Sequence, residues 1–272
     1  MVGINRRQVQ HSFDRHATQY ERNVLVQKRV VDRFTKLLRA RTIDPRRVLD
    51  LGSGTGMLLR NLMGLYPASE LIGLDLAFGM SQIARTNLAA YSSVAFLNCD
   101  AETLPFLDNS FELVVSTSTF QWLESLDRVF SEAYRVLAPG GLFAFALFGE
   151  RTLFELRTSY RNAWQRAGRG SEERTHSFHR LSEVEATLGR VGFSDVQSSS
   201  ELEIDWYTDV PELLRAVRRI GAGSTAPVKS QGLAERRVML DMMAIYCRDY
   251  AADGRIPATY EVIYGTGMKW IS

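Results

Sequence analysis

A glycine-rich run placed directly after a short apolar segment is the feature that most restricts how this chain can fold. The run Asp50–Gly56 reads DLGSGTG; it completes the apolar segment Arg47–Leu51 and leads into a helical pattern at Thr55–Leu65. Glycine permits a tight turn and lets the backbone approach a ligand closely, which a Cβ would hinder. Such glycines also occur in turns that bind nothing. The run therefore predicts a strand, a turn suited to ligand binding and a helix.

Short apolar segments alternate with helical patterns from this run to about residue 150. The segments are apolar throughout, as expected where helices cover both faces of a parallel sheet. Their regular alternation with helices predicts an α/β fold with a doubly wound sheet. The predicted strands are Arg47–Leu51, Glu70–Leu74, Val94–Asn98, Phe111–Ser116 and Leu142–Leu147, and the predicted helices are Thr55–Leu65, Gly79–Ala90 and Leu126–Leu137.

Helical patterns also lie outside this alternating region. Residues 8–40 have apolar positions at helical spacing, which predicts a helical cap over about residues 1–44. Charged helical patterns recur after Glu150, and we predict two insertions, at about 151–190 and 206–254, within a single domain of 1–272. We expect them over the carboxyl ends of the strands, where open α/β sheets bind ligands. Asp195–Asp205 and Ala258–Gly267 complete the predicted strands.

Composition restricts the setting and the partners of the protein. The 33 Lys and Arg residues nearly balance the 31 Asp and Glu residues, which gives no general attraction to nucleic acid or membranes. We find no secretion signal and no apolar stretch of about 18 residues, so we expect a cytoplasmic protein without a membrane span. Cys99 and Cys247 are the only cysteines. They exclude a disulfide framework, and no metal is expected.

Acidic residues end three predicted strands. Asp50 precedes the glycine turn, and a carboxylate there would repel the pyrophosphate of a dinucleotide, which disfavours an NAD-dependent oxidoreductase. Asp75 can accept hydrogen bonds from two ribose hydroxyls. Asp100 and the backbone N–H of Ala101 can meet the edge of adenine. One such aspartate is a common helix N-cap, but three beside a glycine loop favour S-adenosylmethionine as the ligand.

Several motifs between residues 45 and 150 carry a family resemblance. They are DLGSGTG, the acidic end of the second strand, DAETLPF (Asp100–Phe106), FELVVS (Phe111–Ser116) and EAYRVLAPGG (Glu132–Gly141). Together they resemble the class I S-adenosylmethionine-dependent methyltransferases. The resemblance implies a seven-stranded, mostly parallel sheet whose last strand is antiparallel, a role that Ala258–Gly267 would fill.

The same resemblance implies which residues hold the cofactor. It places the three glycines of the run around the methionine part, Asp75 on the ribose, and Asp100 and Ala101 on adenine. The predicted cofactor-binding residues are Phe13, Tyr20, Asp50, Gly52, Ser53, Gly54, Gly56, Asp75, Leu76, Asp100, Ala101, Glu102 and Ser116.

The methyl acceptor is less constrained. Methyl transfer needs proximity, orientation and a dry pocket, and it needs a base only if the acceptor must lose a proton. His176 and His179 are a candidate base or metal pair, or simply polar residues on a helix entry. A carboxylate, with a pKa of about 4, would need a cation to hold it and no base. Arg215, Arg218 and Arg219 share one helical face, which is either solvated or receives an acidic partner.

Segments spread over nearly the whole chain carry a narrower resemblance. They are Ser12–Tyr20, Phe120–Trp122, Leu147–Leu156, Leu213–Ala222 and Pro257–Gly265. These segments are similar to the malonyl-acyl carrier protein O-methyltransferases of biotin synthesis. An Arg-Arg-Gly-Leu element usual in that family is replaced here by Ser230-Gln231-Gly232-Leu233, which leaves open which basic residue meets the carrier protein.

That resemblance implies methyl transfer from S-adenosylmethionine to the free carboxylate of a malonyl thioester on acyl carrier protein, or on CoA. We expect Tyr20 to fold over the cofactor, Gln121 and Trp122 to face the reacting methyl, and Arg215 or Arg218 to orient the carboxylate or the thioester arm. Trp122 is alternatively a core residue. One other hypothesis is a methyltransferase that acts on a different small acid or on a quinone. A carbon or phenol acceptor of that kind would need a base. Another hypothesis is a non-enzymatic binding module.

Overall fold

The computed structural model describes residues 6–123, 125–168, 178–219 and 233–270. Within these ranges the chain forms one sheet of seven strands. They are β1 Arg47–Leu51, β2 Glu70–Asp75, β3 Val94–Asn98, β4 Phe111–Thr117, β5 Leu137–Phe148, β6 Ser194–Tyr207 and β7 Ile256–Met268. Their order across the sheet is β3-β2-β1-β4-β5-β7-β6.

The directions of the strands confirm the predicted doubly wound α/β sheet. Strands β1 to β5 pair in parallel, whereas β7 is antiparallel to both of its neighbours, β5 and β6. β7, the last strand in the chain, is therefore the antiparallel strand of the sheet. β6 and β7 are longer than predicted because their pairing continues from Ser194 opposite Met268 to Tyr207 opposite Ile256.

Ten α-helices in the described ranges surround the sheet. They are α1 Arg6–His16, α2 Tyr20–Asn23, α3 Leu25–Arg39, α4 Met57–Leu65, α5 Phe78–Asn87, α6 Leu126–Val136, α7 Phe154–Arg166, α8 Leu181–Val191, α9 Val210–Arg219 and α10 Leu233–Tyr250. Within those ranges the structure contains no helix that is both long enough and apolar enough to cross a membrane.

Alternate residues of the strands face two separate cores. Val48 and Leu113 belong to the core shared with α3, α4, α7, α9 and α10. Their neighbours Leu49 and Val114 point to the other face and pack with residues of α6 and α8. Because both faces of the central strands β1 and β4 are buried, these strands are mostly apolar and were recognisable in the sequence, whereas the edge strands β3 and β6 are largely exposed.

The predicted N-terminal helix over residues 8–40 is broken in the structure. A 3₁₀ turn at Ala17–Gln19 and the non-helical backbone of Val24 separate α1, α2 and α3. The side chain of Val24 is fully buried, so the break is fixed by packing. As a result α3 packs in the core while α1 turns away and contacts α5 at the carboxyl edge of the sheet.

The helices after β5 divide between the two faces. α7, α9 and α10 contribute apolar side chains to the same core as α3. α8 instead packs against α6 and β6, through residues that include Val184 and Leu188. The second half of the expected 151–190 insertion is therefore a flanking helix of the sheet and does not lie over its carboxyl edge.

Candidate active site

The glycine run forms a left-handed loop at the carboxyl end of β1. Gly52, Gly54 and Gly56 have φ angles of 72°, 54° and 86°, which other residues rarely adopt. A Cβ on Gly52 would also collide with the side chain of Thr119. The backbone N–H groups of Gly52 and Ser53 donate to the Leu74 carbonyl at 2.7 and 2.9 Å, which joins the loop to β2.

Asp75, the last residue of β2, is tied to this loop. Its Oδ2 accepts a hydrogen bond from the Gly54 N–H at 2.9 Å, and its Oδ1 accepts one from the Ala77 N–H at 2.8 Å. Burial raises the pKa of Asp75 to about 6, although these two amides favour the ionised form. The carboxylate is thus held in place at the edge of a cleft.

The pKa of Asp50 is raised further than that of Asp75, the other buried carboxyl at the loop. Burial, reinforced by the nearby charge of Asp75, raises the pKa of its carboxyl to about 8. Its Oδ1 is buried and has no hydrogen-bond partner among the described residues, and the same holds for Ser53 Oγ and Thr55 Oγ1. A buried carboxyl of this kind favours a cationic ligand over an anionic one.

Arg6 of α1 spans the two acidic residues that follow β3. It donates to Asp100 Oδ1 at 2.5 Å and to Glu102 Oε2 at 2.8 Å. Glu102 Oε1 also accepts from the N–H of Ser125, just before α6, and the Glu102 side chain does not line the cleft. Glu102 therefore links α1 to the start of α6, whereas Asp100 lines the cleft.

The glycine loop, β2 and β3 border a cleft of about 760 Å³, here called the loop cleft, which α1 covers. The predicted residues that line it are Phe13, Tyr20, Gly52, Gly54, Asp75, Leu76, Asp100, Ala101 and Trp122. Asp50, Gly56 and Ser116 do not line it. Ser116 instead donates to the Leu51 carbonyl at 2.7 Å and is fully buried.

A second cavity of about 440 Å³ adjoins the loop cleft, and we call it the aromatic cavity. Phe13, Tyr20, Ser118 and Trp122 line both spaces. The Phe13 and Trp122 rings make an edge-to-face contact with centroids 5.7 Å apart. The remaining lining residues are Gln27, Gln121, Phe148, Thr152, Leu153, Phe178, Val217 and Tyr260.

Gln121 is almost fully buried in the aromatic cavity. Its Nε2 donates to the Ser118 carbonyl at 2.7 Å, and its Oε1 has no partner in the described part of the chain. Tyr20 stands at the boundary between the two spaces, where burial and the charge of Asp75 raise the pKa of its phenol, so the group is neutral at physiological pH. The structure therefore brings Tyr20, Gln121 and Trp122 together at one cavity, and their roles toward the cofactor and the methyl group stay predictions.

The two arginines that we expected at the reacting centre lie elsewhere. Arg215 and Arg218 are exposed on α9 and do not line the aromatic cavity, to which this helix contributes Val217. Leu213, Leu214 and Val217 form the buried face of α9, so the arginines point outward. They form an exposed cationic face and do not line the cavity expected for the carboxylate, while a role toward the thioester arm stays a prediction.

The histidine pair is not assembled among the described residues, because His176 lies outside them. His179 is 3.8 Å from Glu183, burial lowers the pKa of its imidazole, and it lines neither cavity. In the residues that the structure describes, no group of three or more His, Cys, Asp or Glu side chains is arranged to hold a metal ion.

Comparison with known proteins identifies the family. A family model described as a methyltransferase domain matches residues 49–145. The malonyl-[acyl-carrier protein] O-methyltransferase of Geobacter sulfurreducens is 48% identical over 98% of this chain and all of its own length. The chain belongs to the malonyl-[acyl-carrier protein] O-methyltransferase family. The Halorhodospira halophila protein of the same name is 36% identical, over 96% of this chain and 87% of its own.

Solved structures confirm the fold of this methyltransferase. A putative methyltransferase from Bacillus halodurans superposes with a TM-score of 0.61 at 18% identity, over 87% of this chain and 97% of its own. Phosphoethanolamine N-methyltransferase 2 of Haemonchus contortus, solved in complex with S-adenosyl-L-methionine, gives a TM-score of 0.58 at 21% identity, over 94% of this chain and 57% of its own. The predicted fold is thereby confirmed, and the sequence relatives confirm the predicted family and enzyme class.

The loop cleft of the methyltransferase fits the charge of S-adenosylmethionine. That molecule carries a sulfonium and an ammonium group, and Asp50 and Asp75 are carboxyls whose burial leaves them short of a counter-charge. The hydroxyls of Ser53 and Thr55 in the loop also have no hydrogen-bond partner among the described residues. An anionic pyrophosphate would offer these two carboxyls no counter-charge.

Sequence reasoning missed several cleft residues of this methyltransferase. Arg6, Val9 and Gln10 of α1 line the cleft together with Phe13, at the spacing of one helical face. That spacing was a usable signal. Thr119 follows β4 and closes the cleft beside Gly52, and only its position at the carboxyl end of a strand pointed to it.

Proposed function

We propose that this enzyme transfers the methyl group of S-adenosylmethionine to the free carboxylate of a malonyl thioester carried by acyl carrier protein. The observation that carries this proposal is the junction of the loop cleft with the aromatic cavity at Phe13, Tyr20, Ser118 and Trp122. A donor in the first space and an acceptor in the second would meet at that junction. The names of the relatives supply the acceptor.

Each part of the cofactor has residues suited to hold it. Asp75 would accept the ribose hydroxyls, and Asp100 and the N–H of Ala101 would meet adenine. Gly54 and the carboxyl of Asp50 would surround the methionine part. When bound, S-adenosylmethionine supplies an electrophilic methyl group on its sulfonium. The role of the protein is to hold this group and the acceptor in line and to exclude water.

The aromatic cavity suits an acceptor that is already ionised. Tyr20 and Tyr260 are the titratable side chains among its described lining residues, and burial raises the pKa of both phenols. The cavity therefore offers no strong base among those residues. A carboxylate, with an ordinary pKa of about 4, needs none, whereas a phenol or a carbon acceptor would have to lose a proton.

The exposed face of α9 supports a protein-bound acceptor. Arg215, Arg218 and Arg219 are exposed on the helix whose inner side places Val217 in the aromatic cavity. Acyl carrier proteins are acidic, so this face would attract one beside the cavity. We place the reaction in the cytoplasm, where the free thiols of Cys99 and Cys247 would stay reduced.

A methyl-transfer assay with labelled S-adenosylmethionine tests the proposal. The acceptors are malonyl carrier protein, malonyl-CoA and free malonate, with acetyl carrier protein as the control that lacks the carboxylate. We expect the highest kcat/KM for malonyl carrier protein and no transfer to acetyl carrier protein. Absence of transfer to every malonyl compound would overturn the proposal.

A further inference from the structure

One polar side chain that lines the aromatic cavity, Gln27, is not used in the hydrogen bonds of the described part of the chain. Gln27 lies in the first turn of α3 and is only 7% exposed. The other polar residue buried on that helix, Thr35, donates its hydroxyl to the Val31 carbonyl at 2.7 Å. The side-chain amide of Gln27 makes no such bond to another described residue. The amide atoms of Gln27 are instead open to the cavity that the side chain lines, where a ligand could accept from them.

The position of Gln27 relates it to both reactants. It lines the aromatic cavity, and it also lines a third space of about 330 Å³ that the glycine loop borders through Gly52, Ser53 and Gly54. Tyr20 and Ser118 line the same two spaces. The amide of Gln27 therefore stands between the place expected for the acceptor and the place expected for the methionine part of the cofactor.

The cavity contains two amides, and they differ in what they can offer. Gln121 already donates from Nε2 to the Ser118 carbonyl, and its orphaned atom is the acceptor Oε1. The N–H groups of Gln27 are uncommitted among the described residues. Every lining side chain that the structure describes is uncharged at neutral pH, and Arg215 and Arg218 point outward. Gln27 is thus the side-chain amide with free donors for an anion in this cavity.

We propose that the Gln27 side-chain amide binds the carboxylate of the acceptor, an inference that rests on the proposed function. One N–H donates to one carboxylate oxygen and leaves the other oxygen free to attack the methyl group. The attacking oxygen forms the new C–O bond as the S–C bond breaks, its negative charge disappears, and S-adenosylhomocysteine leaves without any proton transfer.

A neutral donor suits this reaction better than an arginine would. The carboxylate carries its full charge in the ground state and only part of it in the transition state. An ion pair would therefore stabilise the ground state more strongly and slow the displacement. A neutral amide also orients the carboxylate, but it stabilises the ground state less than an ion pair would and therefore slows the displacement less.

The experiment compares Gln27→Met, which keeps the length but loses the donor, with Gln27→Glu, which adds a charge repelling the acceptor. Gln82→Glu is the control, because it makes the same chemical change at an exposed position on α5. We expect Gln27→Met to raise KM for malonyl carrier protein roughly 10- to 100-fold, with a smaller loss in kcat. The Kd for S-adenosylmethionine and the Tm should stay close to those of the unaltered enzyme.

The pH profile of Gln27→Glu separates binding from a structural role. A protonated glutamic acid donates a hydrogen bond, so activity relative to the unaltered enzyme should recover as pH falls from 8 toward 5.5. Tyr20 and Tyr260, the titratable groups lining the cavity, stay neutral throughout because their pKa values are raised. Unchanged KM in Gln27→Met, or a flat relative profile in Gln27→Glu, overturns this inference alone. If the unaltered enzyme methylates no malonyl thioester, the proposed function is overturned and this inference with it.

Discussion

Arg6 Nη2 donates to Asp100 Oδ1 at 2.5 Å, and this ion pair fastens α1 across the loop cleft. Two further bonds hold the same helix. Gln10 donates to the Leu76 carbonyl at 3.0 Å, and Asp14 Oδ1 accepts from the Gly79 N–H at 2.7 Å. Asp100, the residue expected to bind adenine, thus also holds α1 over the cleft. Cofactor exchange would require this ion pair to loosen.

Arg6→Ala should speed cofactor exchange. Loss of the ion pair removes one attachment of α1, so both the association and the dissociation rate of S-adenosylmethionine should rise severalfold, because a partly exposed pair contributes on the order of 1 kcal/mol. Stopped-flow fluorescence of Trp122, which lines the cleft, measures both rates. Arg7→Ala, an exposed neighbour on the same helix, is the control. Rates unchanged in Arg6→Ala would contradict a covering role for α1.

Asp75→Asn should weaken the binding of S-adenosylmethionine. The amide cannot accept on both sides from the N–H groups of Gly54 and Ala77 and also accept the ribose hydroxyls. We expect a loss of about 1–3 kcal/mol in binding free energy, measured by titration calorimetry. Asp32→Asn, at an exposed position on α3, should bind normally. An unchanged Kd in Asp75→Asn would remove this residue from the site.

Cofactor binding should release a proton near neutral pH. In the free enzyme the pKa of Asp50 is raised to about 8, so the carboxyl is largely protonated at pH 7, and a cationic ligand favours its ionised form. Affinity should therefore rise as pH increases from 6 to 8.5 and level off above that. Calorimetry in two buffers of different ionisation enthalpy counts the proton. Asp50→Asn should abolish the release, and a release that persists would assign it to another group.

Asp50→Asn should also stabilise the ligand-free enzyme. A carboxyl whose pKa is raised in the folded state destabilises that state as pH rises from its unfolded pKa, about 3.9, to its folded pKa of about 8. The neutral amide avoids this loss. We expect the Tm of the variant to exceed that of the unaltered enzyme at pH 8 and the difference to shrink toward pH 5. A variant that is less stable at pH 8 would contradict the assigned cause.

Charge reversal on α9 should impair the reaction with carrier protein selectively. The variant changes Arg215, Arg218 and Arg219 to Glu, and these side chains are exposed. We expect kcat/KM for malonyl carrier protein to fall about tenfold or more at low salt, mainly through slower association, and malonyl-CoA turnover to change little. Arg128→Glu, exposed on α6 at the other face of the sheet, is the control. An equal loss with malonyl-CoA would place these arginines at the acceptor itself.

The positions of Asp75 and Asp100 were predictable because short apolar segments that alternate with helical patterns identify the strands of a parallel sheet. Each aspartate directly follows an apolar segment, and parallel strands bring their carboxyl ends to one edge of the sheet. The same pattern should have corrected the expectation for Arg215 and Arg218. Leu213, Leu214 and Val217 mark the buried face of α9, so the intervening arginines must face outward.

Other parts of the site depend on tertiary packing that local sequence does not encode. Gln27 stands between Val26 and Lys28, and nothing nearby in sequence separates a buried glutamine from a solvated one. The break at Val24 is similar, because a helical pattern continues through it. The fold buries Val24 and turns α1 toward α5, which sets residues 6–13 over the cleft.

The product of the reaction tests the central claim most directly. The enzyme is incubated with S-adenosylmethionine and malonyl carrier protein, and the acyl group on the prosthetic arm is analysed by mass spectrometry. We predict a gain of one methyl group on the malonyl moiety as an ester that mild alkali hydrolyses, with none on the protein itself. A malonyl group that stays unmodified, or a methyl group located on carbon or on a protein side chain, would contradict the account.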